Sequence, residues 1–322
     1  QKTSALDETQ ASALLSSLSR SFALIQGPPG TGKSYTGVAL VKTLVSNRKT
    51  GKLGPILVVT FTNHALDQSL EHLLDQGITQ IVRLGSRSKS ERLTDLNLRK
   101  VAEKAGKTKV EKSEYGKTRG QMKDEARAIT EHLKEMTHDT LIIRKYLARN
   151  NVRHDAQLFA IEVDKEGFKK VRRGSPEDRL RAWLHGGRQI HSNLPTQAIT
   201  GVDDLYDLSH VERRKLYNHW LRRAKKPVLD AIMDRVEQFE DLRSNLDNIR
   251  NELDLRVLEQ AEVIGVTTSG LARNLGLLRR LPSKILLCEE AGEVLESHLL
   301  TALLPSVEHA ILIGDHLQLR PH

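Results

Sequence analysis

With 322 residues, 38% of them apolar and 28% charged, the chain can bury one large core or two ordinary ones and still solvate long helices. A single cysteine, Cys288, excludes a disulfide framework and a cysteine-based zinc site; no secretory signal or membrane-length apolar run appears, so an intracellular protein of nucleus or cytoplasm, with no membrane partner, is expected. The net charge of +9 is uneven, because residues 89–255 carry 35 Lys and Arg against 28 Asp and Glu, a surplus suited to a polyanion such as nucleic acid.

In chain order, residues 4–19 read as a short amphipathic helix and "SFALIQ" (21–26) as a strand. "GPPGTGKS" (27–34) is a loop that runs into a helix over 33–47. "PILVVTF" (55–61) has the unbroken apolar character of a strand buried on both faces. A helix at 65–76 and a strand at "QIVRLG" (80–85) complete a βαβαβ alternation, which predicts a parallel, helix-covered sheet.

From 89 to 255 no buried strand is evident. Residues 97–150 are polar with helical spacing, and 170–204 hold Gly and Pro breaks that predict loops or short helices. Residues 209–260 read as one or two long helices, with Pro227 starting the second or kinking the first. Strands return at "AEVIGVTTSG" (261–270), "KILLCEE" (284–290) and "HAILIGD" (309–315), with a helix near 293–303. The domain plan is therefore an α/β sheet domain from 1–88 and 256–322, interrupted by a basic, mostly α-helical insertion at 89–255. The chain begins at Gln1 and stops just past a strand, which reads as an excerpt of a longer protein.

"GPPGTGKS" fits G-x-x-x-x-G-K-[ST] between a strand and a helix. Gly27, Pro28, Pro29, Gly30, Thr31 and Gly32 would wrap phosphates with backbone N–H groups, Lys33 would reach the β- and γ-phosphates, and the Ser34 hydroxyl would hold Mg²⁺; Tyr35 follows directly. The ligand implied is ATP with Mg²⁺. The bland alternative is a Gly-rich turn that binds nothing.

A second strand should then end in an acid near the metal, and "ILLCEE" does. Glu289 is assigned to the metal and Glu290 to the base that orients or deprotonates the attacking water. The alternative is that both acids only cap the following helix. "LIGDHLQLRP" (312–321) ends a third strand in polar groups, where Asp315 and Gln318 can reach a γ-phosphate or its water. Gln10 in "LDETQ" can read adenine, since its amide both donates and accepts; a surface glutamine is the alternative.

Together these stretches resemble a superfamily 1 helicase of the Upf/senataxin-like group. "LDETQ" looks like its Q motif, "GPPGTGKS" motif I, "VVTFTNHALDQ" motif Ia, "VIGVTTSGLAR" motif Ic, "LLCEEAGEV" motif II and "LIGDHLQLRP" motif III. The Glu-Glu form of motif II and "HVERRKLYNHWL" in the insertion look most like the helicases that carry NFX-type zinc fingers. The resemblance implies the first of two RecA-like P-loop NTPase domains, with the second absent. It also implies a single strand of RNA or DNA bound across both domains, with Thr62, Asn63, Thr267 and Thr268 near its backbone, by contacts that position without reading sequence. For these four, ordinary strand-end turn chemistry is the other reading.

The insertion departs from a minimal motor domain. Its basic clusters "FKKVRRG" (168–174) and "RRKLYNHWLRRAKK" (213–226) suit a nucleic-acid track or an arm for protein partners, with Tyr217 and Trp220 either interleaved on that surface or packed in a helical core. Two readings from other classes stay open. One is a nucleotide-regulated RNA clamp or scaffold with little unwinding; the other is a small-molecule kinase, which leaves motifs Ia, Ic and III without a reason.

Overall fold

The structure, a computed structural model, describes residues 6–160, 162–163, 169–170, 174–186, 192–315 and 317. The strands are β1 (Phe22–Gln26), β2 (Ile56–Thr60), β3 (Ile81–Arg83), β4 (Glu162–Val163), β5 (Lys169–Lys170), β6 (Val263–Thr267), β7 (Ile285–Glu289) and β8 (His309–Gly314). Six of them form one parallel sheet in the order β1-β8-β7-β2-β6-β3. Strands β2, β6 and β7 are buried along their whole length. Ile56 and Val58 enter the core on one face while Leu57 and Val59 enter the core on the other, the period-two alternation of a sheet covered twice. Each such side chain removed from water contributes about 1.5–3 kcal/mol. The α/β expectation holds.

The chain forms two compact units, one from residues 1–114 with 247–322 and one from 115–246. The sheet unit takes in more chain than 1–88 and 256–322. After β3 a 3₁₀ turn (Glu91–Leu96) buries Leu93 completely in one core layer, and the helix Leu98–Ala105 lays Leu98, Val101 and Ala102 on the other. Those apolar residues are too few and too widely set among Lys and Glu to stand out in the sequence.

The second unit is mostly helical, and β4 and β5 add a two-residue antiparallel pair. Its helices include Lys109–Glu135 (from Tyr115 onward), Asp139–Asn150, Val152–Phe159 and Pro176–His185. The helix His210–Gln260 is continuous, and its residues from Asp247 belong to the sheet unit. Pro227 neither starts nor ends it; the helix carries the proline inside and forgoes the one N–H bond it cannot donate.

The aromatics of 213–226 turn inward. Trp220 stacks on Trp183 with ring centroids 5.5 Å apart, and the half-buried Tyr217 hydroxyl bonds Asp139 at 3.3 Å. Arg213 is buried as well and donates to the carbonyls of Trp183, Gly186, Tyr206 and Leu208. Of the other basic cluster, 168–174, only Lys169, Lys170 and Gly174 are among the described residues. Among the described residues no helix is long and apolar enough to cross a membrane.

Candidate active site

Parallel strands put all their carboxyl ends at one edge, where open α/β sheets build their sites. The registers align Gln26 with Gly314 and Glu289 with Ile313, so the ends of β1, β8 and β7 lie side by side.

The phosphate loop leaves β1. Gly30 and Gly32 have φ of 79° and 78°, left-handed backbone where an L side chain costs about 1–2 kcal/mol. The helix Lys33–Ser46 starts at once behind Gly32 and directs its first unpaired N–H groups into the loop. Lys33 Nζ donates to the carbonyls of Gly27 and Pro28, and Thr31 Oγ1 donates to Pro28 O at 2.8 Å. These bonds brace the loop and hold the Lys33 ammonium against it.

Gln10 sits on the same loop, with Nε2 donating to Thr31 O at 3.1 Å. Its Oε1 accepts from Asp7 N–H at 3.2 Å, while Asp7 Oδ1 accepts from Gln10 N–H at 2.7 Å, a reciprocal cap on the helix Glu8–Leu18. Both halves of the amide are thus engaged, and Gln10 joins that cap to the phosphate loop.

Glu289 ends β7 and is only 9% exposed. Burial pushes its carboxyl up to about 7; the Ser69 hydroxyl bonds it and opposes the rise, and neighbouring Glu290 adds to it. Glu290 has left the strand with φ 54° and ψ 37°. Its carboxyl is also raised, first by burial and then by Glu293, against an opposing effect of His64. A raised carboxyl is better matched to accepting a proton near neutral pH than one at the ordinary value. Cys288 is fully buried, and burial together with the two glutamates pushes its thiol up to about 12, so it is an inert core residue.

A cleft of about 450 Å³ brings these groups together: Gly30, Gly32, Lys33, Ser34 and Tyr35 from the loop and its helix, Glu289 and Glu290 from the end of β7, and Asp315 from the end of β8. Asp315 Oδ1 accepts from Leu317 N–H at 3.0 Å. A Cβ on Gly292 would stand 2.7 Å from Asp315 O, so the turn after Glu290 lies directly on the end of β8. Gln318 lies outside the described residues.

The donors suit Mg²⁺ with a triphosphate. Ser34 and Glu289 offer hard oxygens, and the loop offers N–H groups and an ammonium. No cluster of three His, Cys, Asp or Glu with metal-holding geometry exists among the described residues. Ser69, Gln68 and His72, on the helix Asn63–Asp75, also line the cleft. Sequence reading missed them; their signal is the i, i+3, i+4 spacing from Ala65, which also lines the cleft.

The four nucleic-acid candidates lie at the ends of β2 and β6, which pair with Thr60 beside Thr267. Thr62 Oγ1 accepts from Ala65 N–H at 3.1 Å and Thr267 Oγ1 from Gly270 N–H at 3.2 Å, so each caps a helix. Thr267 and Thr268 are buried, while Thr62 and Asn63 are half-exposed. Asn63 Oδ1 accepts from Arg83 Nη2 at 3.0 Å. Arg83 is fully buried, bonded through Nε to Asp67 at 2.7 Å and through Nη1 to Gly85 O at 2.9 Å. This network, unforeseen in the sequence, fixes the Asn63 amide.

The family model described as "AAA domain" matches residues 5–322. Over 98% of its length the chain is 26% identical to the human NFX1-type zinc finger-containing protein 1, covering 23% of that relative. Over 98% it is also 29% identical to the Schizosaccharomyces pombe helicase required for RNAi-mediated heterochromatin assembly 1, covering 37% of it. The ATP-dependent helicase upf1 of the same yeast is 36% identical over 88 residues, 27% of this chain. The chain therefore spans between about a quarter and two fifths of its long-range relatives. It belongs to the AAA domain family, and it is similar to superfamily 1 helicases such as upf1 and to the NFX1-type zinc-finger proteins.

Proposed function

We propose that this chain is the ATP-binding half of a helicase that couples ATP hydrolysis to movement along a single strand of RNA or DNA. The observation that carries the reading is the convergence of Lys33, Ser34, Glu289, Glu290 and Asp315 on one cleft at the carboxyl edge of the sheet. A carboxylate pair alone would be a helix cap and a Gly-rich loop alone would be a turn; neither explains the other.

In this reading the loop N–H groups from Gly30 onward and Lys33 hold the β- and γ-phosphates. Ser34 and Glu289 hold Mg²⁺, which when bound neutralises charge on those phosphates. Glu290 accepts the proton of the attacking water. Asp315, at the end of β8, and Gln318, three residues further along the sequence, orient the water or the γ-phosphate. Gln10 holds the loop through Thr31 O and, on releasing that bond, reads the adenine base. Thr62 and Asn63 meet the strand's backbone, and Thr267, which caps a helix, shapes the adjoining edge with Thr268. The insertion serves as an arm for protein or nucleic-acid partners, with its exposed Lys and Arg as the contact groups, since Trp220 and Arg213 are held in its core. Nucleus or cytoplasm is the compartment this activity fits.

The test is ATP turnover by the full-length protein with and without single-stranded RNA or DNA, for wild type and Lys33→Ala. Strand-stimulated turnover that Lys33→Ala abolishes supports the reading. Biological activity that survives intact in Lys33→Ala, with turnover gone, would favour the clamp instead. Residues 1–322 alone are expected to hydrolyse slowly, because an arginine from a second domain contributes about 10³–10⁵ in related phosphoryl transfers.

A further inference from the structure

Gly37 lies inside the helix Lys33–Ser46, one turn beyond Lys33, and is buried. Glycine is a poor residue for a helix interior, so its presence there calls for a spatial reason. A Cβ at position 37 would stand 2.9 Å from Glu289 Oε1 and 3.0 Å from Ile313 Cδ1. Real Cβ atoms essentially never approach so closely, so one neighbour would have to move. Ile313 is 3% exposed in β8, and the Ser69 hydroxyl bonds the Glu289 carboxyl. The carboxylate end is the more flexible of the two, and it is the group the cleft needs in place.

We infer that Gly37 is the positioning residue that lets a glutamate rather than an aspartate serve as the metal-side acid of this cleft. The missing side chain on the phosphate-loop helix is the space that the longer arm of Glu289 fills. Aspartate at 289 would draw the carboxylate back by about one carbon–carbon bond, ~1.5 Å, and clear a methyl group at 37. With Asp at 289 only the Ile313 Cδ1 contact at 3.0 Å remains, and a small shift of that terminal methyl relieves it, so the two positions are coupled: Ala at 37 is compatible with Asp at 289 and not with Glu. This rests on Glu289 acting at the metal, and the test separates the two claims.

The full-length protein is prepared as wild type, Gly37→Ala, Glu289→Asp, the double variant and Glu289→Ala. For each, affinity for a fluorescent ADP analogue is measured in Mg²⁺ and in EDTA, and ATP turnover is followed against Mg²⁺ concentration. Gly37→Ala should raise the Mg²⁺ needed for half-maximal turnover about tenfold, the scale of losses when a metal ligand's support is altered. It should also shrink the Mg²⁺ enhancement of ADP binding, and Gly37→Ala with Glu289→Asp should restore both to within about threefold of Glu289→Asp alone. Should Gly37→Ala lose ADP binding even in EDTA, restoration by the added Glu289→Asp supports the inference and failure to restore overturns it. Independent, multiplicative effects of the two changes also overturn it. If Glu289→Ala leaves the Mg²⁺ enhancement unchanged, Glu289 is not at the metal and both claims fall; if it removes the enhancement while the coupling is absent, only the inference about Gly37 falls.

Discussion

Glu290 holds a left-handed backbone, φ 54° and ψ 37°, and apart from Lys52 it is the one residue other than glycine at positive φ among those described. That geometry sets the relative stability of variants at the position proposed for the base. An L residue there carries about 1–2 kcal/mol of steric cost. Replacing glycine by alanine at an ordinary backbone position instead stabilises by about 0.4–1 kcal/mol, because the unfolded chain loses freedom. At 290 the first effect exceeds the second, so Glu290→Gly should be more stable than Glu290→Ala by about 0.5–1 kcal/mol. For a domain of this size each kcal/mol moves the melting temperature by about 2–4 °C, so the gap is roughly 1–4 °C. Scanning calorimetry of the two full-length variants measures it, and neither should hydrolyse ATP. The control is Ala39→Gly in the phosphate-loop helix, a half-buried right-handed position where glycine should lower the melting temperature. If Glu290→Ala melts at or above Glu290→Gly, the left-handed turn is not a fixed part of the site.

Glu290→Gln should keep ATP bound and stop its hydrolysis; filter binding with phosphate release measures both, and continued turnover would move the base elsewhere. Glu212 gives the insertion a pH signature. Burial raises its carboxyl, but bonds from Leu194 N–H, the Ser192 hydroxyl and Ser209 outweigh that and take it from 4.5 to about 2. A depressed folded value stabilises fully above pH 4.5, and the contribution, at most about 3 kcal/mol, is lost as the pH falls from 4.5 through 2. Acid titration followed by fluorescence of Trp183 and Trp220 should show this loss, and Glu212→Gln should flatten it. Arg83→Met would strand the buried carboxylate of Asp67, costing about 3–5 kcal/mol, and release the Asn63 amide. Amide exchange should quicken across β3 and the helix Asn63–Asp75, with weaker single-strand binding; unchanged exchange would deny the network its structural role.

The sheet was readable because strands buried on both faces appear as unbroken apolar runs: "PILVVT" and "KILLCE" have no other reading once a phosphate loop precedes them. The loop was readable because its glycines stand where the backbone must be left-handed. The small number of apolar residues at 91–102 hid the extension of the sheet unit. Arg83 was hidden differently. An arginine in a strand reads as the solvent side of an alternation, and only the fold brings Asp67 and Asn63 within its reach. Pro227 left one helix or two open, because local propensity opposes a proline in a helix, and the continuous helix shows that a long one tolerates the lost bond. Ser69 carried no motif, and its contact with Glu289 joins residues 220 positions apart.

Two adjacent acids at the end of a strand pose a geometric problem. Successive strand residues face opposite sides of the sheet, so Glu289 and Glu290 in regular β backbone would point apart. Both line one cleft here because the chain leaves β7 after Glu289 and turns left-handed at Glu290. The turn that follows is pressed against the end of β8 at Gly292 and Gly314. The backbone cost at Glu290 is thus tied to a specific outcome: it converts an alternating pair into a convergent one. Their environments then differ, with Glu289 enclosed against Gly37 and Ser69 and Glu290 at the more open side near Glu293 and His64. An enclosed oxygen suits a fixed ion and a more open one suits an exchanging water, so the proposed division of roles between the two glutamates rests on one backbone angle and one missing side chain.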